Sequence, residues 1–119
     1  MDNELKEGWI SDLRSGDFPQ GKNVLVNLDE NNEPIGYCCL GVLMTRIATT
    51  RPDVQKSIKG DYNTIMSFEY KGLQDSCVVP DTLMQEIGLT YGAQEHLIGM
   101  NDSYGNNFNE IADWIEEYV

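Results

Sequence analysis

Three cysteines, one histidine and twenty carboxylates are the side chains of this 119-residue sequence whose types suit covalent, metal or acid–base chemistry. Cysteine catalysis needs a thiolate with a general base. His96 is the only histidine, and Cys38 and Cys39 lie in an apolar context that raises a thiol pKa and makes a buried cysteine inert. A core role suits them better. Zinc needs convergent nitrogen and sulfur ligands, and one histidine without a Cys-x-x-Cys spacing supplies too few, so no metal and no cofactor is expected. Paired carboxylates could serve hydrolysis, but among twenty acidic residues some pairing follows from composition alone.

Two loops resemble ligand motifs and fail on particular positions. Gly16-Asp17-Phe18-Pro19-Gln20-Gly21-Lys22-Asn23 nearly spells a phosphate-binding loop, with Asn where a magnesium-binding hydroxyl belongs. A helix precedes it and a strand follows, the reverse of what brings backbone amides and a helix N-terminus onto phosphate. Asp29-Glu30-Asn31-Asn32-Glu33-Pro34 opens like a calcium loop but has Pro34 where the turn needs Gly and Leu40 where the bidentate Glu should stand. It reads as a hairpin turn. What remains is a set of polar residues beside apolar anchors. Arg14, Gln20 and Lys22 near Trp9 and Phe18, with Asn101, Asp102 and Tyr104, are candidates to line a pocket that stacks a ring and hydrogen-bonds its edge. The alternative is that residues 101–105 form only a turn with local Asx bonds.

The elements that must position these residues form one α+β domain, residues 1–119, with a short antiparallel sheet packed against three to four helices. Asp2 caps a first helix in which Leu5, Trp9, Ile10 and Leu13 fall at helical spacing and Gly16 is the stop, with Gly8 a weak point. Asn23 to Leu28 reads as a strand, and Ile35-Gly36-Tyr37 returns as its hairpin partner. Cys39, Leu43 and Ile47 place a buried helix from Cys38 to about Thr49, with Gly41 allowing close backbone approach and Pro52 closing it. Onward to Thr64 the chain reads as a surface excursion carrying Arg51, Lys56 and Lys59. Ile65 to Tyr70 alternates like a strand, and Pro80 opens a short helix through Ile87 that Gly88 stops. Leu97, Ile98 and Met100 are too short a run to classify. In the last helix Asn107 and Glu110 form a capping box, and Phe108, Ile111, Trp114, Ile115 and Tyr118 make one apolar stripe.

Charge excludes further classes. The net charge is −12, which repels nucleic-acid backbones and anionic membrane surfaces. Residues 1–71 hold all eight cations and a net of −3, whereas residues 72–119 hold nine acidic residues and no Lys or Arg. That half either solubilises the protein or presents carboxylates, Glu110, Asp113, Glu116 and Glu117 among them, to a basic partner. Three cysteines, two of them adjacent, do not make a disulfide framework. With no signal-like or spanning apolar run, the cytoplasm is the simplest compartment.

The ordered set Trp9, Leu13-Arg14-Ser15-Gly16, Gln20-Gly21-Lys22, Tyr37-Cys38-Cys39-Leu40-Gly41-Val42-Leu43, Val79-Pro80, Gly88-Leu89, Asn101-Asp102 and Phe108 to Glu116 resembles a family of small, mostly uncharacterised phage and prophage proteins. The likeness departs at Met44-Thr45 and in the 50–75 excursion. It implies an accessory protein made in an infected bacterial cell, acting by stoichiometric binding and not by turnover. The expectation is a non-enzymatic inhibitor of anti-phage defence, expected within a homo-oligomer, that sequesters a small nucleotide-derived signal. Arg14 and Lys22 would contact phosphate, Trp9 or Phe18 would stack, and Asn101 and Asp102 would read ribose or base. The alternative is an acidic inhibitor or DNA mimic that blocks a basic surface of a host defence complex or enzyme.

Overall fold

Asp2 accepts the Leu5 amide at 3.0 Å and starts α1 (Asn3–Arg14), which buries Trp9, Ile10 and Leu13. The computed structural model describes residues 1–59 and 64–119. Past α1 the chain turns through Gly16 at φ +81°, a left-handed conformation that glycine adopts without steric cost. The strand expected over 23–28 contracts to β1 (Val26–Leu28): Asn23 turns at φ +74°, and Leu25 bonds through its amide to the Ser76 carbonyl and through its carbonyl to the Cys38 amide, both outside the strands. β2 (Pro34–Tyr37) returns antiparallel, with Val26 opposite Tyr37. Asp29 Oδ1 accepts the amides of Asn31 at 2.8 Å and Glu33 at 3.0 Å, so the acidic loop is a hairpin turn using its own carboxylate.

Cys38 caps α2 (Cys39–Thr50), its Sγ accepting the Gly41 amide at 3.4 Å. Every residue from Cys39 to Met44 is buried. Gly41 lies against the Leu25 carbonyl, where a Cβ would overlap it. After α2 the surface excursion expected to Thr64 gives way to β3 (Gln55–Lys59), which pairs antiparallel with β4 (Ile65–Tyr70); residues 60–63 lie outside the described residues. β3 is polar and exposed at Gln55, Lys56 and Ser57, so no apolar alternation marks it. Its pairing with β4 is reinforced by the Ser57 and Ser67 hydroxyls at 2.9 Å and by Gln74. Lys71 and Gly72, both at positive φ, make the two-residue turn into β5 (Leu73–Asp75). The sheet order is β2-β1-β4-β3, with β5 also on β4.

Pro80 stands at the N-cap position of α3 (Asp81–Ile87) without a side-chain capping bond, and Gly88 at φ +76° ends it. The run around Leu97, unclassified in the sequence, is α4 (Tyr91–Asp102), capped by Thr90. Its apolar period is diluted by Gly92 and Gly99 and by Gln94 and Asn101, two polar residues on its buried side. Asn101 and Asp102 therefore end a helix and are not a free turn. In α5 (Phe108–Tyr118) the Asn107–Glu110 capping box is present. The buried stripe is Phe108, Ile111, Ala112 and Ile115; Trp114 is half-buried and Tyr118 is exposed. The α+β reading holds, with five helices where three to four were expected and α4 as the addition. α1 packs along α5 and α2, and α2 crosses α4.

Gly41→Ala is expected to lose about 3 kcal/mol in urea unfolding, because backbone must move to admit the methyl group. Gly8→Ala gains helix propensity but displaces the Arg46 guanidinium, which forks onto Asp12, so the two effects offset and its unfolding midpoint should stay close to that of the parent.

Candidate functional site

The candidate site is organised around the buried Asn101 at the end of α4, 1% exposed. Its Oδ1 accepts from the Cys39 amide at 3.3 Å and from Gln20 Nε2 at 3.0 Å. Its Nδ2 donates to the Gly21 carbonyl and to Asp102 Oδ1, each at 2.8 Å. All four hydrogen-bonding positions of the amide are thereby filled. Gln20 Nε2 also donates to the Asn106 carbonyl at 2.9 Å, and Asp102 Oδ1 also accepts the Asn23 amide at 3.1 Å. The expected role of Asn101 as a reader of ribose or base gives way to a structural one, since its capacity is spent on the protein.

Two adjoining clefts open beside this node. One, of about 250 Å³, is lined by Gln20, Lys22, Asn101 and the 105–107 loop. The other, of about 290 Å³, is lined by Arg14, Phe18, Gln20 and the start of α5. The fold thus gathers five of the eight expected ligand residues around one shallow depression. Trp9 is not among them: it is fully buried and its Nε1 donates to the Cys39 carbonyl at 2.9 Å, so it offers no face to a ligand. Phe18 packs edge-on against Tyr37 with centroids 5.0 Å apart. Asp102 sits behind the cleft, and Tyr104 is exposed, its ring over Gly99. Lys22 makes no ion pair among the described residues.

Arg14 is committed elsewhere. It donates to Asp113 Oδ1 at 2.6 Å and Glu116 Oε2 at 2.9 Å, and these bonds raise its pKa and keep it charged. The residue expected to hold phosphate therefore holds two of the carboxylates expected to face a partner. Glu110 and Glu117 form no ion pair among the described residues. Beside them is a feature that sequence reading missed. His96 of α4 stacks on Trp114 with centroids 4.5 Å apart, and Tyr118 tilts against Trp114 at 5.3 Å. The i, i+4 spacing of Trp114 and Tyr118 was visible, but its partner lay on an unassigned helix.

Burial pushes the Cys38 thiol up to about 12 and the Cys39 thiol well above its usual value. Cys39 Sγ donates to the Leu97 carbonyl at 3.7 Å. Both are core groups that stay protonated near neutral pH. Among the described residues no group of three or more His, Cys, Asp or Glu side chains converges as a metal site.

One protein family, described as a domain of unknown function (DUF8296), matches residues 1–119. The chain belongs to the DUF8296 family. Comparison with curated proteins and with solved structures finds no match. The DUF8296 match spans the Asn101 node, both clefts and α5, so the whole candidate site lies within the family domain. No helix of this DUF8296 chain is long and apolar enough, among the described residues, to cross a membrane.

Asn101→Ala leaves the Cys39 amide and the Gly21 carbonyl without their partner and is expected to cost about 3 kcal/mol in chemical unfolding. In the native protein at pH 8 an aromatic disulfide reagent should label only the exposed Cys77, with Cys38 and Cys39 reacting after denaturation. Rapid native labelling of three thiols would contradict the core assignment.

Proposed function

We propose that this chain is a non-enzymatic, phage-encoded accessory protein that inhibits a bacterial anti-phage defence by binding, its α5 face covering a basic surface of a host complex or enzyme. The observation that carries this reading is the row of four exposed carboxylates, Glu110, Asp113, Glu116 and Glu117, along α5. They span about 10 Å of helix axis. With Arg14 set against them a net of three negative charges remains. That is a charge every 3–4 Å or so, comparable with about 3.4 Å along one DNA strand. Phage origin rests on the resemblance carried by Cys38 to Leu43 and by Asn101-Asp102.

Sequestration of a small nucleotide-derived signal is the second reading, and what favours it is the ammonium of Lys22 at the Gln20–Asn106 cleft, which forms no ion pair among the described residues. It is the weaker of the two. Trp9 has no face to stack with, Asn101 has no free polar atom, and Arg14 would have to exchange two carboxylates for a phosphate.

The experiment is capture from bacterial lysate with the parent protein and with a variant carrying Glu110→Lys, Asp113→Lys, Glu116→Lys and Glu117→Lys. A partner expected under the first reading is retained by the parent, lost from the variant, and weakened at least tenfold between 0.1 and 0.5 M salt by screening. Retention by both proteins at both salt concentrations would exclude that reading. Calorimetry with cyclic nucleotides and ADP-ribose derivatives, against the parent and Lys22→Ala, tests the second.

A further inference from the structure

We propose that the ridge formed by His96, Trp114 and Tyr118 is where the acidic α5 face recognises an arginine side chain of its basic partner; this rests on the binding reading above and assigns it a contact. Three observations carry the assignment. First, the ridge is held in place and open: His96 stacks on Trp114 at an interplanar angle of 24°, while Tyr118 is 69% exposed. Second, carboxylates frame it. On a helix, residues three and four apart are neighbours, so Trp114 has Glu110 one turn before it and Glu117 and Tyr118 one turn after it. The Arg14 pairs fall on the other flank, at Asp113 and Glu116, and no ion pair among the described residues uses Glu110 or Glu117. The ridge therefore pairs aromatic faces with two carboxylates that no cation meets among the described residues, Glu110 also accepting the Asn107 amide at 3.0 Å.

Third, the chain already shows the complementary chemistry elsewhere. The Tyr70 ring is met by two cations, the Arg51 guanidinium 5.0 Å and the Lys71 ammonium 5.2 Å from its centroid, and of these Arg51 also forks onto both oxygens of Asp53. An aromatic face beside a carboxylate suits a planar guanidinium, which stacks and forks at once, better than an ammonium. At the ridge no cation among the described residues takes that place, and the partner supplies it.

The test is nuclear magnetic resonance titration of the full chain with hexa-arginine and hexa-lysine peptides at low salt. Hexa-arginine should shift the Trp114 indole N–H and the amides of 96 and 110–118, binding about threefold or more tightly than hexa-lysine. Tyr118→Ala, at an exposed position, should abolish that preference, and Glu110→Gln with Glu117→Gln should weaken hexa-arginine about fivefold. Asp113→Asn with Glu116→Gln should leave the preference intact. Equal affinities, or shifts spread over the acidic surface, would overturn the ridge assignment while leaving acidic binding standing. Failure of both peptides to bind would overturn both. Concentration-dependent shifts at the ridge without peptide would also overturn the assignment, by making it a contact between copies of this chain.

Discussion

The fold depends on how the buried start of α2 is satisfied. A helix N-terminus leaves amides without intrahelical partners, and this one is placed in the core, where an unpaired amide is costly. Cys38 caps it with sulfur, a weak acceptor, and Asn101 brings an amide oxygen from the end of α4 to the Cys39 amide. Cys39 then joins three elements: its amide meets Asn101 on α4, its carbonyl accepts the Trp9 indole of α1, and its thiol meets the Leu97 carbonyl. A larger residue there would push α1 and α4 apart. The same amide of Asn101 holds Gln20 and Gly21, so the loop that forms the cleft is fixed by the contact that completes the helix.

This coupling explains why the cleft is shallow and its polar residues are largely consumed. A ligand site in the expected place would need free donors and acceptors, whereas Gln20, Asn101 and Asp102 bond to one another and to backbone. Gly21 also lies against Gly36, closing the loop onto β2. Chemistry on the exposed surface is therefore left to groups outside the node: Lys22, the α5 carboxylates and the aromatic ridge.

Much of the fold was legible where one physical signal dominated. The capping box of α5, the apolar half-turns of α2 and the hairpin at 29–34 each rest on local chemistry that no tertiary contact overrides. α4 was hidden because its buried side includes Gln94 and Asn101, whose partners, the Val79 amide and the Gly21 carbonyl, come from distant segments. β3 was hidden because it is exposed and held by pairing to β4. The candidate pocket was legible as a neighbourhood and not as a set of roles. Polarity alone does not distinguish an asparagine that meets a ligand from one that holds the backbone, and Trp9 looks the same in sequence whether its indole faces a ligand or a carbonyl.

The charge asymmetry also takes on a finer form. The acidic half is not a uniform field, because α1 reaches across and divides the α5 surface. Arg14 binds Asp113 and Glu116, and Lys6 donates to the Glu116 carbonyl at 3.2 Å, so this flank serves the α1–α5 contact. Exposed pairs of this kind add little stability, but they lower the repulsion that a wholly acidic helix would impose on its neighbours. On the opposite flank Glu110 and Glu117, beside Trp114 and Tyr118, form no ion pair among the described residues. Trp114 packs against the core and stacks on His96, whereas Tyr118 beside it stands exposed. In interfaces generally, aromatic residues supply contact area with few rotatable bonds, and neighbouring charge selects the sign of what docks. The division of α5 into a neutralised flank and an open one is thus set by the reach of α1 across the helix.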